Sequence, residues 1–115
     1  MTVIPVALLS ILLHWGLGWE ATVLAGVAGG AWSARGHWLV GAAGVALGWT
    51  AFVVYTAAAA PPAFRVLLDT VGALTGNIPG EALVGLTVFL GGVLGGLGGG
   101  IGRVLRLLLA DDARA

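Results

Sequence analysis

Residues 81–109 read EALVGLTVFLGGVLGGLGGGIGRVLRLLL, with glycine at 85, 91, 92, 95, 96, 98, 99, 100 and 102 and no charge between Glu81 and Arg103. In water this stretch would not hold a helix, because each interior glycine costs roughly 1 kcal/mol relative to alanine and leaves the unfolded chain more freedom. In a bilayer the balance changes: no water competes for the backbone amides, and a helix satisfies them internally. The missing side chains then become flat surface on which a neighbouring helix can pack. The segment is therefore expected to be a transmembrane helix built for close contact.

Composition points the same way. Hydrophobic residues make up 59% of the 115 residues and charged residues 9%, too little polar surface to keep a domain of this size dispersed in water. Net charge is zero, with five arginines, five acids and no lysine, which excludes a nucleic-acid footprint. The absence of cysteine removes disulfides, thiolate metal sites, covalent haem attachment and cysteine nucleophiles together. The apolar N-terminus has no basic n-region and no small-residue cleavage site before Glu20, so it is expected to remain in the mature protein.

Working outward, the pattern predicts an all-α integral membrane protein, a four-helix polytopic bundle in one domain over 1–115. Helices are expected at about 2–18, 20–34, 38–60 and 81–109. The first hairpin is short, since eighteen apolar residues make about 27 Å of helix and fifteen about 22 Å, against a hydrocarbon core of ~30 Å. Gly16 and Gly18 mark its turn; Arg35, Gly36 and His37 mark the next; Pro61 and Pro62 close the third helix. Between 62 and 76, Phe64, Leu67, Leu68, Val71 and Leu74 recur on one face, with Arg65 and Asp69 on the other, as in an interfacial amphipathic helix. Asn77, Pro79 and Gly80 break it, Glu81 suits the start of the last helix, and the tail over 111–115 is expected to fray. No internal repeat is visible.

Arginine distribution orients this layout. Four crossings place Arg35, Arg103, Arg106 and Arg114 on one side and Arg65 alone on the other, so both termini are expected to be cytoplasmic in a membrane of prokaryotic type. Trp15 with Trp19, and Trp32 with Trp38, would mark the two interfaces. A re-entrant hairpin over 2–34 satisfies the same charge bias.

Glycine rows are the strongest candidate contact surfaces. Gly92, Gly96 and Gly100 form one row and Gly91, Gly95 and Gly99 its neighbour; Gly26 with Gly30 and Gly44 with Gly48 repeat the GxxxG spacing on helices 2 and 3. They fit packing within one subunit or a homo-oligomer or another membrane subunit. A phosphate-binding loop is excluded, because no strand precedes the run and no lysine exists.

Glu20 is the one acid embedded in apolar sequence. It either caps helix 2 at the interface, where the macrodipole favours it, or sits with His14 at membrane depth as an ion or proton site. His14 and His37 would lie at opposite interfaces, so no metal or haem site is expected; His14 is read as packing beside Trp15. Ser10 and Ser33 lie at no recognisable spacing from a base, so no catalytic residue or cofactor is assigned and the chain is read as no enzyme. Trp49, Thr50, Tyr55 and Thr56 are read as packing groups and interface anchors.

Four apolar segments, an early Glu and a glycine-rich last helix look, in outline, like the small multidrug resistance transporters. That resemblance would make Glu20 the shared proton and cation site of an antiparallel dimer. The chain departs from the pattern, since Glu20 ends helix 1 rather than lying inside it, helix 2 is too short, and the arginine bias opposes dual orientation. The leading expectation is a non-enzymatic oligomerising bundle or accessory subunit. The alternative is a small ion channel or proton-coupled transporter centred on the hairpin tip, with Glu20 as titrating group.

Overall fold

The computed structural model describes residues 2–114; Met1 and Ala115, the ends of the expected domain, lie outside them. Every regular element among these residues is helical: α1 Val3–Leu17, α2 Thr22–Trp32, α3 His37–Ala59, α4 Pro61–Leu74 and α5 Gly80–Asp112. A single 3-10 turn, Trp19–Ala21, joins α1 to α2. The tail expected to fray from 111 is helical to Asp112.

Backbone chemistry sets the boundaries. Gly18 leaves the helical region with φ 103°, a conformation costly for residues bearing a Cβ, and α1 stops there. The Thr22 hydroxyl donates to the Trp19 carbonyl at 2.6 Å, fastening the tight turn from which α2 starts. Gly36 takes the left-handed conformation ahead of α3, and Gly76 with Asn77 does the same between α4 and α5. Within the helices, Thr50, Thr56, Thr70, Thr75 and Thr87 each donate to a carbonyl four residues back. Their hydroxyl protons therefore need no acceptor from outside the helix.

Helices α2 and α3 form the middle of the bundle. α1 packs on one side of them and α5 on the other, so α1 and α5 do not touch among the described residues. α1 runs parallel to α3, with Val6 against Gly44 and Ser10 against Gly48. α5 runs antiparallel to α3 and parallel to α2, with Gly95 beside Gly41 and Gly26, and Gly99 beside His37 and Gly30. Thr2 and Ser33 share a hydroxyl contact of 3.4 Å at the far end of the first hairpin.

Helix α4 joins α3 and α5 at one end of the bundle. Gly72 carries it close over the Ile78 carbonyl, where a Cβ would lie 2.6 Å away. Leu68 packs over Gly80, closing a helical hairpin with the start of α5. The expected apolar face is only partly used: Phe64 and Leu68 are half-buried, while Leu74 is 82% exposed, because the chain turns away at Gly76.

The interior is made of small residues and the exterior of large ones. Ala25 and Val45 are fully buried together with glycines of four helices. Outside, Trp15 is 79% and Trp32 77% exposed. Two helices, α3 at 23 residues and α5 at 33, are long and apolar enough to cross a membrane; α1, with 15 residues, and α2, with 11, fall short of that length.

Candidate functional site

Helices α3 and α5 approach most closely along residues 37–49 and 91–102. The Gly95 carbonyl oxygen is wedged between Gly26 and Gly41, and a Cβ on Gly26 would lie 2.6 Å from it. Gly98 fits against the Val23 carbonyl, its Cβ position 2.5 Å away, and Gly102 against the Val27 carbonyl. Bare backbone thus meets bare backbone on both sides of α5. Of the glycines read as contact surfaces, Gly26, Gly30, Gly91, Gly95 and Gly99 lie in these seams, while Gly44 and Gly48 face α1 instead. Gly92 and Gly96 lie at the seam's edge, at ordinary contact distance from Ala46 and Ala42, and the Cβ position of Gly100 opens on empty space.

The close contact ends at Trp49. Its indole covers Gly91, whose Cβ position is 2.9 Å from the ring, and beyond it a groove of about 660 Å³ opens between α3, α5 and α4. The α3 wall is Trp49, Phe52, Val53 and Thr56; α4 contributes Phe64, Leu68 and Val71; the α5 wall includes Leu83, Thr87 and Leu90. His14 and Trp19 reach it from the first hairpin. Trp19 lines the same groove as Thr56, which stands one turn short of the end of α3, so the tip of the first hairpin reaches toward that end of the bundle. Around Phe64, Leu68 and Val84, residues the two cavities share, a second opening of about 610 Å³ is rimmed by Arg65, Asp69 and Glu81.

Three polar atoms are buried without partners among the described residues: Ser10 Oγ, on the residue packed against Gly48, and His14 Nδ1 and Trp49 Nε1, on residues that line the groove. All belong to the seam between α1 and α3. Buried polar groups are almost always paired, so three orphans in one seam are unusual. The His14 ring packs edge-to-face on Trp49, with centroids 5.8 Å apart, and lies 4.5 Å from Phe52.

This corrects the expected neighbour of His14. Trp15 points outward, because adjacent residues on a helix do not face each other, and His14 finds its aromatic partners on α3. Val6, Ser10 and His14 recur every four residues, and that stripe was the signal in the sequence; nothing in it named Trp49 or Phe52. Thr50, Tyr55 and Thr56 are all exposed, and of the three Thr56 lines the groove.

Glu20 is exposed on the 3-10 turn at the hairpin tip, while the His14 ring is held against α3. His37 opens α3 twelve residues before Trp49, about 18 Å along the helix, so the two histidines do not share a site. Arg106 lies at the end that carries His37 and donates from Nη1 to the Ala31 carbonyl at 3.2 Å. That oxygen belongs to the last turn of α2, where a cation is favoured. No group of three metal-ligating side chains comes together among the described residues. No protein-family model, curated protein or solved structure matches the chain.

Proposed function

We propose that the chain is an integral membrane protein with a structural or accessory, non-enzymatic role, in which α1, α2, α3 and α5 form the membrane-embedded bundle. The observation carrying this reading is the inverted distribution of side chains. Large apolar groups such as Trp15, Trp32, Leu97 and Leu109 are exposed while glycines are buried. In water such a surface would drive aggregation; in lipid it needs no cover, and small residues are what let helices approach.

The dimensions suit the same reading. Uncharged residues 82–102 make about 32 Å of α5, matching the hydrocarbon thickness, with Glu81 and Arg103 just outside. The Trp15/Trp19 and Trp32/Trp38 pairs would sit at the two interfaces, and the Arg106 end would be cytoplasmic. Contact with a second copy or another membrane subunit would use the outer edge of α5 at Gly100, since the inner glycines are occupied within the chain.

Flotation of the full chain with liposomes after alkaline washing tests the reading. Retention in the lipid fraction is expected. Release into the aqueous fraction as a soluble, folded species would contradict it.

A further inference from the structure

We infer that the groove between α3, α4 and α5 is a binding site for a membrane-soluble molecule that presents a carbonyl oxygen on a planar, unsaturated body. The inference rests on the membrane reading above. His14 Nδ1 is sealed in the α1–α3 seam without a partner among the described residues, whereas Nε2 is not sealed and the residue lines the groove.

A neutral imidazole carries its proton on one nitrogen only. Placing that proton on Nδ1 would bury an unpaired N–H, which costs more than carrying it on the nitrogen that is not sealed. The proton therefore belongs on Nε2, which makes His14 a donor toward the groove. The Trp49 indole closes the inner end with its N–H buried and unpartnered among the described residues, so it offers the groove its ring rather than its donor. His14 Nε2 is thus the donor presented to the groove, and it calls for an acceptor oxygen.

The walls specify the rest of the ligand. Trp19, Trp49, Phe52 and Phe64 line the groove, and aromatic rings favour offset or edge-on contact with other rings. A volume of about 660 Å³ lies within the range of small-molecule sites, as does an apolar lining with few polar groups. A saturated acyl chain would use neither the donor nor the rings. The opening near Arg65, Asp69 and Glu81 leaves a route for a tail to leave toward the polar edge of the membrane.

The test uses the full chain in liposomes and a photoreactive short-tailed azidobenzoquinone, with labelled residues found by mass spectrometry. Saturable labelling is expected within 52–56 of α3 and 64–71 of α4, displaced by decylbenzoquinone and not by dodecane. His14→Phe removes the donor but keeps the volume and should raise the half-saturating concentration about fivefold to tenfold. Leu68→Trp should fill the groove and abolish labelling. Non-saturating labelling spread over lipid-facing residues such as Leu97, equal displacement by dodecane, or no change in His14→Phe would each overturn the assignment. Flotation of the same sample separates the two failures: protein that floats without saturable labelling refutes this site alone, and protein that does not float refutes the membrane reading beneath it.

Discussion

Gly95 of α5 and Gly41 of α3 stand in each other's way: the place where either would carry a Cβ is taken by the other's carbonyl oxygen. A methyl group at either position must push two helix backbones apart, since no side chain is there to rotate away. Overpacking that moves a backbone costs about 1–3 kcal/mol or more. Gly95→Ala should therefore destabilise the bundle by at least about 2 kcal/mol. Gly85→Ala, inside α5 with open space around it, should be neutral or stabilising by up to ~1 kcal/mol through helix propensity. Denaturant titration in one mixed micelle measures both, and equal effects would refute the packing described.

The first hairpin gives a second contrasting pair. Gly18 has φ 103° and ends α1, while Gly16 is inside α1 with nothing near its Cβ position. Gly18→Ala should cost about 1–2 kcal/mol in backbone strain, and Gly16→Ala should gain up to about 1 kcal/mol. Thermal unfolding followed by circular dichroism checks the opposite signs.

Ser10 is fully buried and its hydroxyl has no partner among the described residues. Removing an unpaired buried polar group forfeits no hydrogen bond and removes a desolvation penalty. Ser10→Ala should leave stability unchanged or raise it by up to ~1 kcal/mol. A clear loss in the same titration would mean that the hydroxyl is satisfied in the membrane, for example by a bound water.

Arg106 reaches from α5 to the last turn of α2. The contact is exposed and its contribution to global stability should stay below about 1 kcal/mol. Arg106→Ala should instead act locally, speeding amide exchange in the last turn of α2 while exchange in α3 is unchanged. Uniform acceleration across the bundle would show that the contact matters more than its geometry indicates.

Much of this architecture is legible in the residues, and the limits are instructive. Gly18, Gly36 and the Gly76–Asn77 pair mark real turns because each needs backbone geometry that other residues resist. The crowding of glycine in α5 signals close helix contact. Which row makes it is not legible: Gly91, Gly95 and Gly99 look the same as Gly92, Gly96 and Gly100 in one dimension. Only the positions of α2 and α3 decide between them. Gly44 and Gly48 likewise resemble partners for α5, yet they receive Val6 and Ser10 of α1. The meeting of His14 with Trp49 joins residues 35 positions apart in the chain, a pairing that periodicity within one helix does not encode.

The central claim is that lipid surrounds the large side chains while the helices meet through backbone. Because the chain has no cysteine, single cysteines carrying a nitroxide can be placed at Leu8, Leu47 and Leu97, which are exposed, and at Ala25 and Val45, which are fully buried. In proteoliposomes the account predicts frequent collisions with oxygen and few with a water-soluble nickel complex at the first three positions, and few with either at the last two. Strong collisions with the nickel complex at all three exposed positions would contradict it.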